Sequence, residues 1–152
     1  MKQVRIRGAT PQDVPFLRRM QWEALMASPR FVSAMGLDNL RRIEDRAWAA
    51  WPAPGETAFV AEDAQGRPLG ALILRVQERD GERVVGHRLA VAVAAEARRP
   101  GLGRQLLEHA KHFSQAAGAA YVLLYVDPRT TRLCRRISRP GFDLGMPTAS
   151  SR

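Results

Sequence analysis

The sequence predicts an α+β fold, with one β-sheet and helices packed on its faces. Runs of strand length with alternating or continuous apolar residues predict the sheet, and stretches with the 3.6-residue period of an amphipathic helix predict the helices. The chain has 152 residues, of which 45% are hydrophobic, so it is long enough for one core and too short for a second domain. We therefore predict a single domain over residues 1–152.

The N-terminal part is predicted to contain one strand and two helices. Polar and apolar residues alternate at 4–7, which predicts a strand. A helix is predicted over 11–26, because Thr10 suits the N-cap and Pro11 suits the first helical position. A second helix is predicted over 37–50 and ends at a segment rich in proline and glycine.

Turn residues divide the remainder of the chain into four predicted strands and two predicted helices. The strands are predicted at 57–62, 69–77, 83–93 and 121–126. One helix is predicted from residue 101 or 102 to about 117, and another over 130–138. Gly118 is predicted to end the longer of these helices. The run at 121–126 is continuously apolar, which is typical of a strand buried on both faces.

Several classes of protein are excluded at this level. No apolar run approaches the about 20 residues that a membrane-spanning helix needs. The N-terminus has no apolar segment with a cleavage site, so we expect a cytoplasmic location. Cys134 is the only cysteine, which excludes an internal disulfide and a zinc site built on paired thiolates, and we expect no metal.

The charge is strongly positive and unevenly placed. The formal net charge is +9, and Lys2 and Lys111 are the only lysines among 24 basic residues. From residue 128 onward, six arginines stand against one acid, Asp143. This excess favours anionic ligands, including phosphate-rich ones.

A glycine-containing turn between a strand and a helix is the strongest functional signal. The predicted strand at 83–93 is followed by Arg98, Gly101 and Gly103, and a helix begins at once. Free backbone amides and the positive end of the helix dipole make such a helix start an anion site. A dinucleotide fingerprint would need glycine at Leu106, and a P-loop would need Gly-Lys-Ser or Gly-Lys-Thr, so both are excluded.

The pattern of Arg98, Gly101 and Gly103 resembles the acyl-CoA signature of the GNAT superfamily of N-acetyltransferases. The order of predicted elements is similar to that family over essentially the whole chain, and Gly141-Phe142 resembles its Gly-Phe ending. The resemblance implies a mixed, mostly antiparallel sheet with a central, splayed parallel strand pair and helices on both faces. It also implies acetyl-CoA as co-substrate and a primary amine as acceptor.

The resemblance further implies where CoA would bind. Pantetheine would lie in the splayed gap against the main chain of residues 91–93, and the diphosphate would lie on amides of residues 99–104. Pro100 has no N–H, so any contact from that position is lost. The predicted cofactor-binding residues are Val91, Ala92, Val93, Arg98, Arg99, Gly101, Leu102, Gly103, Arg104 and Thr130.

Amine acetylation also needs a proton acceptor and is helped by a donor for the departing thiolate. His87 occupies the position of the family's strand-borne glutamate, and an imidazole with an ordinary pKa of about 6.5 can serve as a base. Glu62 is a second candidate, and Tyr125 is a candidate donor. The family's usual tyrosine is replaced by Ile137, and its usual asparagine is replaced by Thr130. Glu23 and the three tryptophans are weighed as parts of the acceptor pocket or of ordinary packing.

Two other functions stay open at this point. The missing tyrosine favours a non-catalytic acyl-CoA-binding or regulatory module. The arginines of the last predicted helix favour nucleic-acid binding, but no aromatic residues interleave with them and no nucleic-acid motif accompanies them, so CoA is preferred. The sequence does not specify the acceptor amine, and it leaves a homodimer open because the tail after Phe142 is short.

Overall fold

The computed structural model describes residues 3–97, 101–123, 137–138 and 143–144. These residues form seven strands, four α-helices and two 3-10 turns. The strands are β1 (Arg5–Gly8), β2 (Glu56–Glu62), β3 (Pro68–Arg79), β4 (Glu82–Val93), β5 (Tyr121–Leu123), β6 (Ile137–Ser138) and β7 (Asp143–Leu144). The helices are α1 (Val14–Met26), α2 (Pro29–Met35), α3 (Leu37–Ala49) and α4 (Leu102–Ala116), and the 3-10 turns are Pro11–Asp13 and Ala95–Ala97.

The first five strands form one sheet in the order β1-β2-β3-β4-β5. The three strand pairs among β1 to β4 are antiparallel, and short turns join β2 to β3 and β3 to β4. Strand β5 follows the crossover helix α4 and pairs parallel with β4, with Val84 opposite Tyr121 and Gly86 opposite Leu123. The strands β6 and β7 pair with each other in an antiparallel manner. The mixed, mostly antiparallel sheet with one parallel pair confirms the predicted fold class.

Helices cover both faces of the sheet. Successive side chains of a strand point to opposite faces, and here both sets include buried apolar residues. On one face, Leu72 and Leu74 of β3 pack in a buried cluster with Leu102 and Leu106 of α4. On the other face, the alternate strand residues cluster with residues of α1 and α3. This second cluster consists of Leu17, Met20, Trp48, Ala58, Val60, Ala71, Ile73, Leu89 and Ala94. The α4 face and the α1/α3 face are therefore separate halves of one core.

The start of the first predicted helix differs in detail from the prediction. Residues Pro11–Asp13 form a 3-10 turn, and the α-helix begins at Val14. Asp13 accepts a hydrogen bond from the Thr10 backbone N–H at 2.7 Å and also binds Arg7. Asp13 thus secures both the turn and β1.

Two secondary-structure predictions need correction. The short helix α2 is absent from the predicted elements; it has only seven residues, about two turns, which is too short for the helical period to stand out, and none of them is buried. The helix predicted over 130–138 is wrong at its end, because Ile137–Ser138 is a strand whose partner is Asp143–Leu144. The remainder of that predicted helix lies outside the described residues, as do residues 124–126 of the strand predicted at 121–126.

Candidate functional site

The connection from β4 to α4 is anchored at its first residue. Ala94 is fully buried, and its backbone N–H donates to Leu69 O at 2.8 Å, which continues the pairing of β3 and β4. The 3-10 turn Ala95–Ala97 follows, and α4 begins at Leu102 with Gly101 as its N-cap. Gly101 has φ 89° and ψ −13°, a left-handed conformation that glycine adopts without a steric penalty.

The first turn of α4 presents free backbone donors next to β4. Gly101 O accepts from Gln105 N at 3.0 Å, so the amides of residues 102–104 precede the helical ladder. Leu102 is buried and fixes the helix start on the core, whereas Arg104 is exposed. A Cβ built on Gly103 would lie 3.6 Å from Val91 Cγ1, so the helix start lies directly against β4.

Strand β4 is irregular beyond the point where β5 pairs with it. Its register with β3 shifts between Leu74 and Ile73, because Arg88 is an extra residue between His87 and Leu89. The bulge places Arg88 and Leu89 opposite Ile73, on the α1/α3 face. Pairing with β5 is described only for Val84 to Gly86, so among the described residues the segment 87–93 has a strand partner on the β3 side alone.

His87 is buried on this strand. Its Cα partner is Leu74, whose side chain belongs to the α4 face, and 7% of the His87 residue surface is exposed. In the part of the chain that the structure describes, His87 Nδ1 is buried without a hydrogen-bond partner. Burial lowers the pKa of His87 to about 4, because the imidazolium form loses its hydration. At neutral pH the ring is uncharged and retains a lone pair.

Glu62 lies in an ion-pair network instead. Its two carboxylate oxygens accept from Arg5 Nη2 at 2.7 Å and from Arg7 Nε at 2.8 Å. The hydrogen bond from Arg7 is the main cause that holds the pKa of Glu62 below its usual value. A carboxylate with two arginine partners is a weak proton acceptor, so the arrangement gives Glu62 a structural role between β1 and β2.

The other carboxylate weighed for the acceptor side also has a local partner. Glu23 accepts from Arg19 Nε at 2.8 Å, one turn earlier on α1. The remaining predicted site residues, Arg98, Arg99, Tyr125 and Thr130, lie outside the described residues.

A buried polar cluster on the α1/α3 face was not predicted from the sequence. The side chain of Glu56 is 1% exposed and accepts from Arg88 Nη1 at 3.0 and 3.2 Å. Arg75 Nη2 lies 3.4 Å from Glu56 Oε2, and the Arg88 guanidinium lies 4.8 Å from the ring centre of Trp48. This cluster fixes the Arg88 bulge of β4 through charge pairing and a cation–π contact.

The tryptophans divide between this cluster and the surface. Trp48 and Trp51 contact each other with ring centroids 6.1 Å apart, and Trp48 Nε1 donates to Glu44 Oε1 at 3.3 Å. Trp22 lies farther out on α1, with the Arg41 guanidinium 6.0 Å from its ring centre. Trp48 and Trp51 therefore contribute to packing behind β4.

Comparison with known protein families identifies the family to which β4, the following turn and α4 belong. The sequence model described as "Acetyltransferase (GNAT) domain" matches residues 54–137, which is more than half of the chain. The chain belongs to the GNAT acetyltransferase family. The matched part of this GNAT domain runs from just before β2 to β6 and includes His87 and the β4–α4 turn.

Individual relatives agree with this assignment. The N-alpha-acetyltransferase daf-31 of Caenorhabditis elegans is 31% identical over 78 residues, which are 51% of this GNAT chain and 41% of that protein. The aligned region thus spans less than half of the length of that relative.

Solved structures share the fold over most of the chain. A mutant of the BH1408 protein of Bacillus halodurans superposes with a TM-score of 0.69 at 19% identity, covering 84% of this chain and 85% of that one. A GCN5-related N-acetyltransferase of Ralstonia eutropha superposes with a TM-score of 0.64 at 19% identity, covering 82% and 84%. At these identities the likeness shows the GNAT fold alone.

Two further features of the GNAT domain concern membranes and metals. Among the helices that the structure describes, none is both long and apolar enough to pass through a bilayer. The same described residues contain no group of three or more histidine, cysteine, aspartate or glutamate side chains placed to hold a metal ion.

Proposed function

We propose that this GNAT domain transfers the acetyl group of acetyl-CoA to a primary amine of a small molecule or a protein. The observation that carries the proposal is the family match over 54–137, which contains a strand, an anchored turn and a helix start with free amides. The transfer forms a bond between the amine nitrogen and the acetyl carbon and breaks the bond from that carbon to sulfur. The amine loses a proton, and the CoA thiolate gains one.

The phosphates of CoA are proposed to bind at the start of α4. The amides of residues 102–104 and the helix dipole favour an anion there, and Gly101 and Gly103 allow the main chain to approach it. The side chain of Arg104 is exposed next to these amides and adds positive charge. Arg98 and Arg99 are proposed to contribute in the same way from the preceding segment.

The pantetheine arm is proposed to lie along the main chain of Val91, Ala92 and Val93. One edge of this segment pairs with β3, and the proposal places the extended ligand along the other edge. Thr130 is proposed to complete the cofactor site from the segment that follows β5.

His87 is proposed as the base. Its imidazole is neutral at pH 7 and so has a lone pair that can take a proton from the attacking amine, directly or through water. Burial also makes it a weaker base than an exposed histidine, because the imidazolium that forms there is poorly hydrated. In the part of the chain that the structure describes, the buried Nδ1 has no hydrogen-bond partner. Tyr125 is proposed as the donor to the departing thiolate. Glu62 is left out of this proposal because Arg5 and Arg7 already bind it.

The proposed acceptor is a primary amine, and it can belong to a small molecule or to a protein. The Caenorhabditis elegans relative is named as an N-alpha-acetyltransferase, which makes a peptide α-amine one candidate to test. The tested panel should therefore contain peptides with free N-termini, lysine-containing peptides with blocked N-termini, and small polyamines.

The test measures CoA release and product formation with the full chain, acetyl-CoA and this panel. An acetyltransferase releases CoA thiol with at least one amine and yields an acetylated product by mass spectrometry. Affinity for CoA without turnover on any amine would favour the binding-module alternative. Salt-sensitive affinity for oligonucleotides, with no affinity for CoA, would favour the nucleic-acid alternative.

Two variants separate the roles within the proposal. Gly103→Glu is expected to lose CoA affinity, because a carboxylate would stand beside the phosphates. His87→Gln is expected to keep CoA affinity and to lose about 10²–10⁴-fold in kcat, the usual contribution of a general base. Unchanged kcat in His87→Gln would remove His87 from the mechanism and leave the CoA site intact.

A further inference from the structure

An arginine of α1 reaches across to the turn between β4 and α4. Arg19 Nη2 donates to both carboxylate oxygens of Glu96, at 2.9 Å each, and the two residues are 77 positions apart in the sequence. Arg19 Nε is held at the same time by Glu23 at 2.8 Å. The guanidinium is therefore fixed to its own helix by one edge and to the turn by another.

We propose that Arg19 is a positioning residue for CoA binding: through Glu96 it holds the Ala95–Ala97 turn in the position that the start of α4 needs to grip the phosphates. This inference rests on the proposed function, because it assumes that CoA binds at Gly101 to Arg104. The inference gives α1 a role in the affinity for CoA, although α1 and α4 lie on opposite faces of the sheet.

The turn is secured on both sides of Glu96 by the core, but Glu96 itself is not. Ala94 is fully buried, and Ala97 is half-buried against both core clusters and donates to Ala94 O at 2.8 Å. The side chain of Glu96 is 61% exposed, and its described side-chain partner is Arg19. Arg98 follows two residues later. A turn that is already ordered loses less conformational freedom when a ligand binds, which increases affinity.

Electrostatics alone predicts the opposite effect for Glu96. Glu96 lies a few residues before the proposed phosphate site in the sequence. Removing its negative charge would therefore strengthen CoA binding, because the carboxylate repels the phosphates. The positioning role predicts weaker binding after the same change. The sign of the change therefore distinguishes a positioning residue from an ordinary surface charge.

The experiment measures the dissociation constant for coenzyme A by calorimetry at low ionic strength. The chains compared are the unchanged protein, Glu96→Gln, Arg19→Gln and the double variant. We expect each single variant to bind CoA about two- to fivefold more weakly, the range of one exposed ion pair. The double variant is expected to bind no more weakly than the weaker single variant, since both changes remove the same contact.

Arg18→Gln is the matched control. Arg18 neighbours Arg19 on the same helix, is similarly exposed and forms its ion pair with Asp45 of α3 instead of the turn. It removes the same charge, so its effect measures the general attraction of CoA to a basic protein. Arg19→Gln is expected to weaken CoA binding more than Arg18→Gln does. Circular dichroism and thermal melting check that all variants fold.

Equal or tighter CoA binding by folded Glu96→Gln would overturn the inference and leave the proposed function standing. Additive losses in the double variant would overturn it too, because independent charges give additive effects. No CoA binding by the unchanged chain would instead overturn the proposed function, and the inference with it.

Discussion

Val91 of β4 lies against Gly103 in the first turn of α4, so closely that a Cβ on Gly103 would be 3.6 Å from Val91 Cγ1. That distance is an ordinary van der Waals contact. The helix start therefore has room for a methyl group but brings any longer side chain next to the strand and the free amides.

This relationship predicts different outcomes for two substitutions of Gly103. Gly103→Ala is expected to fold and to retain CoA binding, because the methyl group fits against Val91. Gly103→Glu is expected to fold and to lose at least about tenfold in CoA affinity, which corresponds to about 1.4 kcal/mol. Calorimetric titration with CoA measures both. Equal affinities in the two variants would place the phosphates elsewhere.

Gly101 provides a contrasting test by stability. Its φ of 89° is costly for residues with a Cβ, so Gly101→Ala is expected to lower the free energy of unfolding by about 1–2 kcal/mol. Gly103→Ala, inside the helix, is the matched control and is expected to raise it by up to about 1 kcal/mol. Urea denaturation without ligand measures both. A loss of stability in the control as large as in Gly101→Ala would contradict the conformational explanation.

The sequence predicted the frame of the site because local signals define its parts. The end of β4 at Val93 follows from its apolar run, and the start of α4 follows from Gly101 and the helical period after it. Both boundaries agree with the structure. Helix α2 was missed although the sequence contains start and stop signals for it: Pro29 is its first residue and Gly36 follows its last. None of its residues is buried.

The buried polar cluster around Glu56 could not be predicted from the sequence, for a different reason. Glu56 and Arg75 are directly opposite each other only because β2 and β3 pair in one particular register. Arg88 joins them only because a bulge turns it toward the α1/α3 face. Register and bulges depend on the packing of the whole sheet, so a single sequence does not specify which charges meet.

The ion pair between Arg7 and Asp13 makes a prediction for acid stability. Arg7 donates to the two oxygens of Asp13 at 2.7 and 2.9 Å, and this contact lowers the pKa of Asp13 to about 2. A lowered folded-state pKa contributes stability that is complete above the unfolded pKa of about 3.9 and is lost as the pH falls toward 2. Asp13→Asn is therefore expected to be less stable than the unchanged chain at pH 7, by about 1–3 kcal/mol.

Denaturation at several pH values tests this expectation. The difference between the unchanged chain and Asp13→Asn should shrink as the pH falls from about 5 to about 2. Asp45→Asn is the matched control, because Asp45 pairs with Arg18 at an exposed position and such pairs contribute about 0–1 kcal/mol. A pH-independent difference for Asp13→Asn would show that its effect is packing rather than charge.

The pKa of buried His87 is also lowered in the folded chain, so its contribution to the pH dependence of stability has the same sign and lies at higher pH. Its folded pKa of about 4 lies below the ordinary value, so between about 6.5 and 4 the unfolded chain binds a proton that the folded chain does not. Its effect on stability is therefore absent above pH 6.5 and grows as the pH falls through this window. The unchanged chain should lose about 2 kcal/mol of stability between pH 7.5 and pH 5 from this residue.

His87→Gln removes the titrating group and is expected to lose correspondingly less stability over the same interval, whatever its stability at pH 7.5. His112→Gln, at an exposed position of α4, is the matched control and is expected to follow the unchanged chain. Urea denaturation at pH 7.5, 6 and 5 gives the three slopes. Parallel slopes for the unchanged chain and His87→Gln would mean that His87 is charged or solvated in the folded protein. The ring would then be a stronger base than a buried imidazole, because its imidazolium form would keep its hydration.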